Sequence, residues 1–389
     1  MKSALHHAWV EVDLNALEFN VRGIQKKLPK NVTYMAVVKA NSYGHGNENI
    51  CEKLWNMGIR WFAVANLDEA ISVRKYCPEA EIFILGYTPP YLAPTLAENN
   101  IIQGIVSMEY AKELSESATS PVRGHIKLDT GMGRIGTRCT DTETCGKELL
   151  PMFELPNLKL EGVYTHFAAA DSPEIADVAY TRRQEDRIVN VYNWLAENGH
   201  KLEHIHFMNS AASVYCPSPR CTLSRVGILM YGLLPNAPYP VPIPIKPAMR
   251  LKSTVVQIEY IEKTKQTIAV VPVGYSDGYS RLLANKAQAL IHDVPCTVVG
   301  EVHMNYLTLD ITEIAESVNK GDEVILFGKG AITANYLAFL YDTIGDEVIC
   351  NVSRRIPRII VNEEIKDEDL ILEKAGVSEY ETNITSCMG

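Results

Sequence analysis

VTYMAVVKAN (32–41) is an apolar run rich in β-branched residues, and behind it comes GHGNENICEKLWNMG, whose apolar residues recur at the three- and four-residue spacing of a helix lying against a sheet. The same unit returns through the first 240 residues. Its further strand runs are RWFAVA (60–65), EIFILG (81–86), IIQGIV (101–106), VRGHIKLD (122–129), LEGVYTHF (160–167), HIHFMN (204–209) and VGILMYG (226–232). Helix-like LDEAISVRKYC, SMEYAKELSES and RRQEDRIVNVYNWLAENG lie between them. Eight short, continuously apolar strands alternating with helices predict an α/β chain that begins with a closed (β/α)8 TIM barrel. An open doubly wound sheet is the rival, but its GxGxxG fingerprint is absent after the first strand.

The texture changes at NAPYPVPIPIKPAMR, a proline-rich stretch suited to an extended connector. Beyond it, LKSTVVQIEYIE, TIAVVPVG, AQALIHD, VPCTVVGEV, YLTLDI, DEVILFG, EVICNVS and IPRIIVN are short runs separated by turn residues. They predict a mostly β second domain with one helical segment around Ala334–Tyr341. We therefore divide the chain into a barrel over 10–240 and a mostly β domain over 241–389, with residues 1–9 free to pack on the latter. The tail LEKAGVSEYETNITSCMG is expected to fray.

Bulk properties narrow the function classes. With 389 residues, 47% of them hydrophobic, the chain can bury a large core. A formal charge of -10, from 37 Lys plus Arg against 47 Asp plus Glu, disfavours nucleic acid as a partner. No apolar run is long enough to cross a bilayer, and MKSALHHAWVEVDL lacks a secretion-signal pattern, so a cytoplasmic protein without membrane contact is expected. Nine scattered cysteines without a CxxC pair suit free thiols better than a disulfide framework.

In such a barrel the site lies at the carboxyl ends of the strands. Lys39 ends the first run, where losing hydration is costly unless the amine gains a partner or a covalent bond. A Schiff base with an aldehyde cofactor, usually pyridoxal phosphate, supplies one; a snorkelling or salt-bridged lysine is the other reading. Asn209–Ser210 and Arg225-Val226-Gly227-Ile228 follow strands seven and eight, the recurrent phosphate place of this barrel, and Tyr43 offers a further donor. Lys127, Asp129 and Arg134 in KLDTGMGR read either as catalytic charges or as a structural ion pair in a glycine-rich loop. His166 and His206, at strands six and seven, read either as proton-relay groups or as satisfied structural histidines.

Joined in order, AVVKANSYGHG, KLDTGMGRIG, VYTHFAAAD, HFMNSAA, RVGILMYG, VPVGYSDGYSR and RRIPR resemble the alanine racemase family over essentially the full chain. The resemblance implies pyridoxal 5'-phosphate, no metal, and a head-to-tail homodimer whose active sites are shared between subunits. It makes Lys39 the cofactor-bearing lysine and one base, Tyr275 from the partner subunit the other base, and His166 the group that tunes that tyrosine. It sets Arg225 against the pyridine nitrogen with His206 behind it, and Tyr43, Ser210, Gly227 and Ile228 on the phosphate. Arg134 would meet the phenolic oxygen and the substrate carboxylate, which the Met304 amide also contacts, and Lys127 stands at a position that can be carbamylated.

Three residues depart from the common pattern of that family. His303 and Asn305 stand where it reads cysteine and aspartate around Met304, and Arg354 stands where a tyrosine usually contacts phosphate and crowds the side-chain pocket. Arginine can still pair with phosphate. The expected activity is interconversion of L- and D-alanine, with serine or a broader range of small amino acids as the alternative. A related barrel-type pyridoxal-phosphate decarboxylase is the remaining rival, disfavoured by GYSDG and the KLDTGMGR loop.

Overall fold

The computed structural model describes residues 7–235 and 239–366; the C-terminal LEKAGVSEYETNITSCMG, with Cys387, lies outside them. The chain opens with β1 (Ala8–Asp13) and then lays down β2 (Thr33–Val37), β3 (Trp61–Val64), β4 (Glu81–Ile84), β5 (Ile101–Ile105), β6 (Val122–Asp129), β7 (Thr137–Arg138), β8 (Leu158–Tyr164), β9 (His204–His206) and β10 (Leu223–Val226). All strands of the barrel are parallel, in the order β10-β2-β3-β4-β5-β6-β8-β9, with the short β7 added beside β6. Closure falls between β9 and β10, where Thr222 N–H donates to Ile205 O at 2.8 Å and Arg225 N–H to Met208 O at 3.1 Å. Helices between the strands start on polar caps: Asp13, Asn66, Ser107 and Asp141 side chains each accept a first-turn N–H.

The second sheet is built from β11 (Met249–Thr254), β12 (Gln257–Ile261), β13 (Gln266–Val271), β14 (Gln288–Ile291), β15 (Val294–Val299), β16 (Leu307–Asp310), β17 (Glu323–Phe327) and β18 (Arg358–Val361). Its strand order is β12-β13-β16-β15-β14-β17-β11-β1-β18, so the first strand of the chain sits between two of its late ones. β1 runs antiparallel to β11 and parallel to β18. Buried Lys246 lies 3.3 Å from Asp13 and 3.5 Å from Glu363, which ties the amino-terminal segment to the carboxyl-terminal one by charge.

Two local readings of the sequence need correction. VGILMYG is not a strand: β10 ends at Val226, and Ile228–Tyr231 form a 3-10 turn that closes on Gly232 at φ +79. A β-branched run cannot continue as strand there because Gly227 turns the chain sharply, with φ -114 and ψ -104. EVICNVS is not a strand either, since Gly345–Cys350 form a helix beside a second one over Ala334–Leu340. Its first turn carries Asp346 and Glu347, the charge a helix N-terminus favours.

Candidate active site

Lys39 follows β2, and the chain then does something its local propensities oppose. Ala40, Asn41, Ser42 and Tyr43 have φ values of 53, 57, 54 and 51, a full left-handed turn without glycine, before Gly44 at φ 81. Each such residue costs roughly 1–2 kcal/mol, so the surroundings must hold the turn. Val38 O accepts Ser42 N–H, Ala40 O accepts Gly44 N–H, and Asn41 O accepts Gly46 N–H. Glu69 accepts Ala40 N–H at 2.7 Å, and Ser42 Oγ donates to Asn47. His45 Nδ1 reaches the carbonyls of Ser42 and Tyr43 at 3.0 and 3.1 Å, and Arg358 Nε donates to Gly44 O. Burial pulls the His45 ring down to about 4, with Arg358 adding to the fall against the two backbone bonds, so it holds this turn as a neutral ring.

The turn brings Tyr43 against the end of β10. A Cβ placed on Gly227 would lie 2.6 Å from Tyr43 Oη, and Ser210 Oγ accepts Gly227 N–H at 2.8 Å. A hydroxyl, a phenol and the Gly227 N–H therefore converge at a glycine that cannot carry a side chain. This is the kind of cradle that suits a phosphate.

Deeper in the barrel, Arg225 is buried. Its Nη1 bonds His206 Nδ1 at 3.0 Å and His206 O at 2.8 Å, and its Nη2 bonds Thr165 O at 2.6 Å and Phe207 O at 3.4 Å. Four acceptors match its four Nη hydrogens, so the Nε–H is the donor left for a ligand. Lys127 is buried with its ammonium 4.7 Å from the Tyr164 ring. Burial first, then the positive charges of Arg225 and Arg134, pull Lys127 down to about 6 against the opposing pull of Asp129. Burial alone would raise the Asp129 carboxyl, but the N–H groups of Gly133, Gly131 and Met132 hold it below its usual range.

His166 sits where these charges meet. Burial first, then Arg225, Lys127, Arg134 and Lys39, push its ring well below the ordinary histidine value. The barrel mouth thus sets the positive charges of Arg225, Arg134 and Lys39 around a neutral histidine, and Asp129, the carboxylate acting on Lys127, is already occupied by backbone N–H groups. Such a site is built to receive an anion.

Tyr275, Met304 and Asn305 are gathered elsewhere, on the rim of the second sheet. Tyr275 N–H donates to His303 O, Ser276 N–H to Met304 O, and Asn305 Nδ2 to Ser276 Oγ at 2.9 Å. Asp277 is buried beneath them and accepts from Gly274 N–H at 3.0 Å and Arg355 at 2.7 Å, with His7 at 3.2 Å. Burial would raise its carboxyl, but Arg355, Gly274 N–H and His7 together keep it low. Tyr275 is 43% exposed and Met304 55%, and Arg354 is exposed next to Ser353, whose N–H donates to Asp277 O. The residues read from the sequence therefore form two groups, one in the barrel mouth and one on an exposed rim.

Residues 12–235 match the family described as alanine racemase, N-terminal domain, and residues 256–360 match its C-terminal domain. The chain belongs to the alanine racemase family. It is 38% identical over 380 residues to the alanine racemase of Clostridium tetani, covering 92% of this chain and 96% of that one. With that of Desulfovibrio desulfuricans it shares 36% over 369 residues, 91% and 98% of the two chains. The solved structure of Clostridium difficile alanine racemase in complex with cycloserine superposes with a TM-score of 0.85 at 33% identity, over 95% of this chain and 98% of that one. Bacillus anthracis alanine racemase with bound L-Ala-P gives 0.83 at 33%, over 94% and 97%. This racemase is an isomerase with a barrel and a mostly β domain, and its activity is the interconversion of L- and D-alanine.

Sequence reasoning passed over His45 and His125. His45 carried no signal beyond its glycine neighbours. His125 did carry one: it stands two residues before Lys127, so both point to the same face of β6.

Proposed function

We propose that this alanine racemase works with pyridoxal 5'-phosphate, that Lys39 and Tyr275 are its two bases, and that each Tyr275 serves the partner subunit of a homodimer. The observation that carries the reading is the cradle of Tyr43, Ser210 and Gly227 beside buried Arg225, with Arg134 and Lys39 adding positive charge around His166, which suits a dianion and a carboxylate. The residues fit the cofactor: Tyr43, Ser210, Gly227 and Ile228 would hold its phosphate, Arg225 Nε–H would face its ring nitrogen, and Lys39 would bear it. Bound there, the cofactor supplies an electron sink that acidifies the substrate Cα–H.

The side chains then divide the work. Inverting a carbon centre requires proton removal on one face and delivery on the other, so Lys39 Nζ and Tyr275 Oη act from opposite sides. Tyr275 needs positive surroundings to act as a phenolate, and Arg134 with the other cations supplies them while neutral His166 stays free to exchange a hydrogen bond with it. Arg134 and the Met304 amide orient the substrate carboxylate. Lys127, drawn down to about 6, keeps a neutral amine near pH 7 that can add carbon dioxide, releasing one proton and leaving a carbamate between Arg134 and Arg225. The eight described cysteines are all free, which supports a cytoplasmic location.

Serine is the second substrate we assign. Asn305 and Arg354 place polar groups on the Tyr275 rim, where a hydroxymethyl side chain finds partners. Comparison of kcat/KM for L-alanine and L-serine decides it; an alanine preference above roughly a thousandfold, or about 4 kcal/mol at the transition state, rules serine out.

Lys39→Ala should abolish the visible absorbance that added cofactor gives with the unaltered enzyme, and Tyr275→Phe should keep that absorbance but lose proton exchange on one face. Mixed subunits test the sharing: a heterodimer of the two inactive variants has one intact site and should regain activity. Two-way racemisation by Tyr275→Phe at the normal rate, or no recovery in verified heterodimers, would refute the assignment.

A further inference from the structure

Behind Arg225 and His206 the barrel contains a further ring, His125, that the racemase scheme above does not use. His206 Nε2 lies 2.9 Å from His125 Nδ1, and both rings are fully buried. Arginine can only donate, so His206 Nδ1 must be the acceptor of the 3.0 Å bond from Arg225. A neutral His206 then carries its proton on Nε2 and donates it to His125 Nδ1. His125 in turn carries its own proton on Nε2, which has no hydrogen-bond partner among the described residues. Charging either ring would place two donors face to face, and burial opposes it in both.

The backbone is shaped to allow this. The β6–β8 register slips between Gly124 and His125, a bulge that sets His125 opposite Gly162. A Cβ on Gly162 would stand 2.8 Å from His125 Cδ2 and 3.0 Å from its Nδ1, so only glycine leaves room for the ring. Phe83 at 5.1 Å and Trp61 at 6.2 Å wall the ring, with His204 at 5.5 Å, and Tyr164 stacks on His206 at 5.0 Å. A bulge, a missing Cβ and an unpaired buried N–H are costs with no return in packing alone.

We propose that His125 is a positioning residue: as the acceptor for His206 it completes a one-way chain of hydrogen bonds that fixes the Arg225 guanidinium, leaving Nε–H aimed at the ligand. The inference rests on Arg225 serving the cofactor as proposed above, whereas the protonation pattern stands without it. Selective 15N spectra of histidine in the holoenzyme and in the cofactor-free protein should show both rings neutral with Nε2 protonated, and a coupling across the His206–His125 bond. A proton on Nδ1 of either ring overturns the proposal.

His125→Phe keeps the ring volume and removes the acceptor, so kcat should fall about tenfold while KM moves less than about twofold, with the His206 Nε2–H signal displaced. His125→Asn returns an acceptor oxygen at the Nδ1 position and should restore most of both. Equal impairment of the two variants, or unchanged kcat in His125→Phe, overturns the role. Should His125→Phe fail to fold, the spectra of the unaltered enzyme and His125→Asn decide. Failure of the cofactor reading shows separately, as absorbance retained in Lys39→Ala.

Discussion

Lys127 offers a measurement that turns burial into a stability curve. Its ammonium is displaced from an ordinary 10.5 to about 6 by burial and by Arg225 and Arg134. At about 1.4 kcal/mol per pH unit, the drop from 10.5 to about 6 costs the folded state about 6 kcal/mol below pH 6, where both the folded and the unfolded chain bind the proton. Because the folded value is the lower one, the unfolded state binds the extra proton, and the penalty shrinks as pH rises from 6 towards 10.5. Lys127→Met removes the titration and keeps the chain volume. Denaturant unfolding of the cofactor-free variant, in buffer stripped of carbon dioxide and at fixed protein concentration, should show it more stable than the parent at pH 7. The gap should narrow by about 3 kcal/mol between pH 7 and pH 9. Adding bicarbonate should stabilise the parent and leave the variant unchanged. A gap that is constant with pH would refute the claim that Lys127 is neutral in the folded chain.

Three further outcomes follow from geometry. Gly227→Ala forces a methyl to within 2.6 Å of the Tyr43 hydroxyl, whose ring is held 4.9 Å from Tyr231; cofactor affinity, read by equilibrium dialysis, should weaken at least about tenfold. Gly44→Ala places a methyl 2.4 Å from Ile349 O at a φ of +81, and should cost about 2–4 kcal/mol in denaturant unfolding. Asp277→Asn removes the buried carboxylate that Arg355 and Gly274 hold under Tyr275; kcat should drop about tenfold with cofactor absorbance intact, and a normal kcat would mean that the rim loop is held without this charge.

Much of this molecule is legible in its sequence because its barrel strands are short apolar runs and its polar residues, Lys39, Ser210 and Arg225 among them, cluster at strand ends. The left-handed turn was not. Four non-glycine residues in KANSY favour negative φ locally, and only distant partners such as Glu69 and Arg358 reverse that preference. Gly345–Cys350 was misread because an apolar run of this length looks alike in strand and helix, and packing against its neighbours decides. His125 was legible as a neighbour of Lys127 on one face of β6, but its pairing opposite Gly162 was not, because the slip of register past Glu161 is invisible to a pattern that assumes regular pairing.

The place of β1 constrains how the chain can be made. Synthesised first, it finds its sheet partners β11 and β18 only after every barrel strand has left the ribosome. The barrel is an insertion within the second domain, and no single cut separates the two. A nascent chain halted after β10 would also lack Arg358, which helps close the turn behind Lys39. The turn behind Lys39 therefore gains its last partner only when the second domain has been made, so a barrel segment alone would leave the Gly44 carbonyl without the Arg358 bond.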